Sequence, residues 1–164
     1  MANKDKIPDS KGGGTNIKSP SELNNGFSFS SKKDVKKYSN SIKKWVLNDV
    51  DKTTIEFADE FGKYIAEKRL TTSQIRTAFG EMRRIQTNGF SEKTRKDFIL
   101  LKPKLAYAVK RHNIEGLEAF YYLFEVAYDH VDTDDISKGS AQFNNLMMLM
   151  EAILAYHKFH GGKE

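Results

Sequence analysis

The stretch LTTSQIRTAFGEMRRIQTNGF, residues 70–90, decides the fold because its apolar side chains recur with the spacing of one helix face. That face consists of Ile75, Ala78, Phe79, Met82 and Ile85. Thr71 and Gln74 fit a capping box, in which each side chain bonds the backbone N–H of the other residue. Gly89 is placed to end the helix. The sequence therefore predicts a helix that begins after Thr71 and ends near Asn88.

The same helical spacing dominates the chain from Tyr38 onward, and strand-like alternation is nearly absent. Ser91 is placed to cap a fourth helix, and Asn113 to cap a fifth. Pro103 should start or kink the segment after the fourth helix, because proline lacks an N–H and disfavours helix at the preceding residue. Besides the third helix, the predicted helices cover about 39–49, 54–68, 91–101, 114–131 and 139–160. We therefore expect an all-α protein, a single compact bundle of five to six helices.

The N-terminal part has a different composition from the rest. Residues 1–44 contain ten Lys against four Asp and Glu, with many Ser and Asn, the triplet Gly12–Gly14 and few apolar residues. Such a segment buries too little apolar surface to offset the entropy of ordering it. We predict a flexible basic tail over 1–38, a helical bundle domain over 39–160 and a C-terminal tail over 161–164.

Composition excludes several functional classes. The chain has no cysteine, and therefore no disulfide, no thiolate zinc site and no cysteine nucleophile. The longest apolar run, Leu146–Met150, is far too short to span a bilayer. We expect a soluble, cytoplasmic protein without cofactors. The last helix is apolar on more than one face, which predicts burial on most sides, with contact to another subunit as the alternative.

Charge is unevenly distributed along the chain. Residues 63–111 carry 13 Lys and Arg against four Asp and Glu, whereas 45–62 and 112–164 have net charges of −4 and −6. A basic zone of this kind attracts polyanions, and nucleic acid is the first candidate.

Within this zone the basic side chains fall on two helix stripes. Thr72, Arg76, Gly80, Arg83 and Thr87 share the first. Guanidinium groups pair with phosphate oxygens, and Gly80 would permit close approach of a phosphate backbone. Lys104, Tyr107 and Arg111 share the second, with Lys110 at its edge. Tyr107 is interpreted as a half-buried core residue, with a stacking surface for bases as the alternative.

Two sequence motifs in this region resemble those of a known family: LTTSQIR at 70–76, followed by Phe79, and LLKPKLAY at 100–107. Over about residues 42–160 the chain resembles the small subunit of the type III-A CRISPR–Cas interference complex. The resemblance implies an all-α, non-catalytic RNA-binding subunit. Several copies would stack head to tail along the guide RNA–target RNA duplex and contact chiefly the target RNA backbone, without reading sequence. Its other partners would be neighbouring copies and the backbone-forming and large signature subunits.

The resemblance places Arg76, Lys102 and Lys104 against RNA. Helix geometry adds Arg83, Lys110 and Arg111 as candidate RNA-binding residues. No catalytic residue and no metal ligand is predicted.

Two other functions are compatible with the sequence. A helix-turn-helix DNA-binding protein would use the third helix, with Ser73, Gln74 and Arg76 at its start, as the recognition helix. A purely structural adaptor would dock partners through the last helix.

Catalysis and metal binding are disfavoured. His157 and His160 lie one turn apart but have no third ligand nearby, and we interpret them as a solvated pair. The acidic stretch after Tyr128 does not match an EF-hand, because Phe143 occupies the position where a Glu belongs. We therefore interpret that stretch as an exposed loop.

Overall fold

Helices account for nearly all of the described backbone. The computed structural model describes residues 26–164, and this part of the chain contains a short 3-10 helix, six α-helices and no strand longer than an isolated bridge. The 3-10 helix is Lys32–Tyr38. The α-helices are α1 (Ser39–Leu47), α2 (Lys52–Glu67), α3 (Thr72–Asn88), α4 (Arg95–His112), α5 (Glu115–Tyr128) and α6 (Ile136–Phe159). The predicted all-α bundle is confirmed.

Helix α6 forms the centre of the bundle. Its most extensive contact is with α2, and α1 packs against it as well. Helices α2 and α6 lie close together at Gly62, where an added Cβ would lie 2.7 Å from Cβ of Tyr156 and 2.8 Å from the backbone nitrogen of His157. The buried apolar side chains of α6 are Phe143, Leu146, Met147, Leu149, Met150 and Ile153. The prediction that its broad apolar surface is mostly buried is confirmed.

The predicted start of α3 is also confirmed. The Thr71 hydroxyl accepts a hydrogen bond from the Gln74 N–H at 3.3 Å, and the Gln74 side-chain oxygen accepts one from the Thr71 N–H at 2.9 Å. Gly89 ends the helix with a φ of 82°, a backbone conformation that favours glycine.

The prediction that the fourth helix ends near Leu101 and that Pro103 starts a new segment is wrong, because α4 runs through the proline without interruption. Proline lacks the N–H that would bond the carbonyl of Ile99, four residues earlier. The hydroxyl of Tyr128, at the end of α5, donates to that carbonyl instead, at 3.0 Å. A neighbouring helix thus satisfies the backbone group that the proline leaves open.

Both predicted caps around α4 need correction. Ser91 does not cap the helix; its carbonyl closes a turn that leads to Thr94, the residue before the first helical position. Asn113 does not cap α5. It ends α4 in the left-handed conformation, with a φ of 52°, and Ile114 precedes α5.

The tail predicted over 1–38 is too long at its C-terminal end. Residues 1–25 lie outside the described residues, but 26–38 pack onto the bundle. Phe27 and Phe29 make edge contacts with the ring of Phe57, and the 3-10 helix lies against α5. Hydrogen bonds from Lys37 and from the Ser30 and Ser31 amides hold the pKa of the Asp34 carboxyl well below its usual range. The residues that make these contacts, Phe27, Phe29 and Asp34, are few and do not recur at helical spacing. The sequence pattern therefore gave no sign that this segment is ordered.

The last residues fold back onto the start of α3, and His157 is buried rather than solvated. The carbonyl of Lys163 accepts from the N–H of Thr72 at 2.9 Å, so the segment predicted as a tail at 161–164 is joined to the bundle. His157 is fully buried and donates through Nε2 to the Leu70 carbonyl at 2.7 Å. Burial lowers the pKa of this imidazole.

We predict that Gly62→Ala lowers the free energy of unfolding by about 1–3 kcal/mol, because the added methyl must push the α6 backbone away. The matched control is Gly80→Ala in α3, where an added Cβ meets nothing within 4 Å. That substitution should raise the free energy of unfolding by up to about 1 kcal/mol through helix propensity. Urea unfolding measures both, and equal effects of the two substitutions would contradict the close α2–α6 approach.

We predict that Tyr128→Phe lowers the free energy of unfolding by about 0.5–1.5 kcal/mol, because the Ile99 carbonyl loses its donor. In a Pro103→Ala background the new N–H bonds that carbonyl, and the effect of Tyr128→Phe should shrink. A double-mutant cycle by urea unfolding measures this coupling. Additive effects would show that the hydroxyl does not replace the missing N–H.

Candidate nucleic-acid interface

Helices α3 and α4 pack side by side and leave a groove of about 760 Å³ between them, here called the α3/α4 groove. The α3 wall consists of Ser73, Gln74, Thr77 and Ala78. The α4 wall consists of Leu100, Pro103, Lys104, Leu105, Tyr107, Ala108, Arg111 and His112. Ile75 of α3 and Leu101 of α4 point into the core, while the short side chains of Ser73 and Thr77 leave the space open.

Two of the six predicted RNA-binding residues, Lys104 and Arg111, lie together in this groove. Both are exposed, and they stand seven residues apart, or about 10 Å along the helix axis. None of the described residues that line the groove is an Asp or Glu. The α4 wall therefore carries two positive charges, and the described lining of the groove has no carboxylate to neutralise them.

Arg76 and Arg83 lie on the other flank of α3. They share the predicted stripe with Gly80, but their guanidinium groups face the C-terminal segment and α6. Arg76 pairs with Glu164 at 3.7 Å, and these two side chains are 70% and 68% exposed. Arg83 pairs with Glu151 at 3.1 Å and covers the ring of Phe79.

The remaining two candidates face neither of these surfaces. Lys102 points toward the end of α5, where its ammonium group lies 3.2 Å from the Asp129 carboxylate and 5.5 Å from the centre of the Tyr128 ring. Lys110 is exposed on α4 and does not line the groove. The structure thus divides the six predicted residues among separate faces and brings only Lys104 and Arg111 together in a concave site.

The expectation that Tyr107 is half-buried is wrong. Its side chain is 68% exposed and lines the groove between Lys104 and Arg111. Leu100, which sequence reasoning missed, is 49% exposed on the same wall. The two consecutive leucines, Leu100 and Leu101, could have indicated this exposure. Neighbouring helix positions are 100° apart and rarely share a narrow core face, so one of the two is expected to face solvent.

Arg84 links the two walls of the groove. Its guanidinium pairs with Glu81 in its own helix at 2.8 Å and with Asp97 of α4 at 3.0 Å. These carboxylates raise the pKa of Arg84. Arg84 therefore helps to set the spacing of α3 and α4. Its guanidinium is already paired with carboxylates of the protein itself.

The acidic stretch before α6 has a structural role. One Asp132 carboxylate oxygen accepts from the N–H groups of Asp134 and Asp135, and Asp135 caps α6 through the N–H of Lys138. Across residues 26–164, no group of His, Asp and Glu is arranged to hold a metal ion. No helix in this part of the chain has the length and apolar character needed to cross a membrane.

A comparison with known families matches the chain to the Csm2 Type III-A family over residues 48–163. No curated protein and no solved structure matches the chain. The family match runs from the end of α1 to the C-terminal segment, so it includes both walls of the α3/α4 groove. The resemblance identified in the sequence is confirmed. The chain belongs to the Csm2 Type III-A family, the small subunit of the type III-A Csm complex.

Proposed function

We propose that this subunit binds the RNA backbone through the α3/α4 face, without sequence specificity and without catalysis. The observation that supports the proposal is the pairing of Lys104 and Arg111 in a concave site whose described lining has no carboxylate. Among residues 26–164, no carboxylate pairs with Lys104 or Arg111, so neither cation has to leave such a partner before it contacts a phosphate.

The proposed mechanism is electrostatic. Each Lys or Arg that neutralises a phosphate releases counterions, so the affinity falls as the salt concentration rises. Phosphate contacts hold the protein on the strand but carry no sequence information. A subunit that binds in this way follows any guide–target pair, which a guide-directed complex requires.

The other four predicted residues extend the proposed RNA-binding surface. An exposed ion pair such as Arg76–Glu164 contributes little stability, so a phosphate can displace the carboxylate from Arg76. Arg83 and Lys102 have closer carboxylate partners and would have to exchange them for phosphate. Lys110 extends the row of positive charge beside Arg111 on α4.

Family membership implies association with other subunits of the Csm complex. We propose that several copies lie along the guide RNA–target RNA duplex in the cytoplasm and contact the target strand, their neighbours, and the backbone-forming and large signature subunits. Linkage of copies on one RNA raises the effective concentration of each, so weak binding by one copy suffices.

The packing of the helices disfavours the helix-turn-helix alternative. In that motif the first helix supports the recognition helix, with which it forms one unit. Here α2 packs mainly against α6 and α5, while α3 packs mainly against α4. An RNA-binding measurement distinguishes the proposed function from the structural adaptor, because a purely structural adaptor would not bind RNA.

We predict that Lys104→Ala/Arg111→Ala weakens binding to an unrelated single-stranded RNA by about ten- to hundredfold at low salt. The slope of log affinity against log salt should become shallower by about 1.4, the value for two lost phosphate contacts. Fluorescence anisotropy over a salt series measures both quantities, with circular dichroism to confirm that helicity is unchanged.

The matched control is Lys33→Ala/Lys43→Ala, which removes the same charge from exposed positions outside α3 and α4. It should leave most of the affinity intact. If the two double variants lose the same amount of RNA affinity, the loss is caused by net charge alone, and the assigned site is contradicted. Tight, sequence-dependent binding to duplex DNA would favour the helix-turn-helix alternative, and no binding to either nucleic acid would favour the adaptor.

We predict that Glu151→Gln strengthens RNA binding by a few fold at low salt, because it releases Arg83 from its ion pair. Glu56→Gln, at an exposed position on α2, changes the net charge equally and serves as the control. A larger gain for Glu151→Gln, measured by anisotropy, is expected if Arg83 contacts RNA. Identical gains would remove Arg83 from the proposed surface.

A further inference from the structure

We infer that the α3/α4 groove seats an unpaired RNA base against Tyr107, with the flanking phosphates on Lys104 and Arg111. This inference rests on the proposed function and adds to it a subsite for the base. It makes the base subsite, as distinct from the phosphate contacts on the same face, selective for an unpaired nucleotide, although the subsite reads no sequence.

The shape of the site exceeds what phosphate binding needs. A phosphate needs only cations to pair with its oxygens, and a convex helix face can present them without a cavity. The groove instead has about 760 Å³ of space, within the range of about 300–1,000 Å³ that is typical of small-molecule sites. A single nucleotide therefore fits between the two helices.

The order of side chains along α4 matches the order of groups along a nucleotide strand. Leu100, Lys104, Tyr107 and Arg111 follow one another at helical spacing and all line the groove. The aromatic ring thus stands one turn from a cation on either side. A base stacked on Tyr107 would have its neighbouring phosphates near Lys104 and Arg111.

The exposed apolar surface at this site has no partner within the described chain. The Tyr107 side chain is 68% exposed and that of Leu100 is 49% exposed, and the buried Ala78 and Leu105 form the apolar floor beside them. Stacking of a base on an aromatic ring is favourable for every base, because each has a π face. The cations and the lack of a carboxylate in the lining favour a polyanion over an acidic or apolar peptide segment.

The α3 wall offers hydrogen-bonding groups to the edge of the base. The side-chain oxygen of Gln74 is held by the N–H of Thr71, which leaves the amide nitrogen for a ligand. The hydroxyls of Ser73 and Thr77 rotate freely and both donate and accept, so they adapt to any base. A base within a duplex has its faces covered by stacked neighbours and its pairing edge occupied, and it cannot enter.

The test compares two RNA probes of equal length and charge, one with all its bases and one in which the central nucleotides are abasic. We expect the intact chain to bind the base-bearing RNA about tenfold or more tightly than the abasic RNA at the same low salt concentration. Tyr107→Ala should abolish this difference, whereas Tyr107→Phe should retain it because the ring remains. Tyr107 is exposed, so the fold should persist, and circular dichroism checks that it does.

Two controls separate the base subsite from phosphate binding and from a general loss of aromatic surface. Phe159→Ala removes another highly exposed aromatic ring, at the end of α6 and outside the groove, and should keep the preference for base-bearing RNA. Lys104→Ala/Arg111→Ala should weaken binding to both probes by the same factor.

The outcomes distinguish this inference from the proposed function. Equal, salt-dependent binding of both probes by the unmodified chain would overturn the base subsite and leave backbone binding intact. A preference that survives Tyr107→Ala, or that Phe159→Ala removes, would also overturn it. Binding of neither probe would overturn the proposed function and the base subsite together.

Discussion

The close approach of α2 to α6 at Gly62 is the constraint on which the rest of the bundle depends. Any side chain at this position would meet the α6 backbone, so the two helices can share a tight interface only because the Cβ is absent. With α2 on one side and α1 on another, α6 is enclosed on most of its surface, and Leu146, Met147, Leu149 and Met150 become core. The carbonyl of Leu70, between α2 and α3, accepts a hydrogen bond from the buried His157 of α6, and this contact joins the segment before α3 to the central helix.

The candidate interface lies on a layer outside this centre. Helix α3 packs mainly on α4 and only slightly on α6, so both helices keep a broad solvent-facing surface. The layer is nevertheless held firmly: Arg84 joins the two helices through Asp97, and Tyr128 of α5 completes the hydrogen bonding of α4 at the proline. A rigid outer pair of helices can hold a row of cations at constant spacing, which a repetitive phosphate backbone requires.

Charge alone overstates the number of residues available to a polyanion. The basic zone of the sequence is strongly positive, yet Arg83, Arg84 and Lys102 are engaged by carboxylates of the protein itself. In the folded chain each of these cations is already paired with a carboxylate. A phosphate can bind there only by displacing that carboxylate. The groove is different because its described lining contains no Asp or Glu, and this difference, rather than the total charge, distinguishes Lys104 and Arg111.

The sequence by itself determined the helical class, the capped start of α3, the segregation of charge and the family. Hydrophobic periodicity, capping residues and sequence motifs can each be recognised within a short stretch of the chain. It did not reveal that Phe27 and Phe29 pack against the core, that α4 continues through Pro103, or that His157 is buried. Each of these depends on a partner far away in the chain: the ring of Phe57, the hydroxyl of Tyr128 and the carbonyl of Leu70. The grouping of the basic residues was likewise decided by tertiary packing, since helix spacing places side chains on a stripe but only the neighbouring helices decide whether that stripe meets an acid, a groove or solvent.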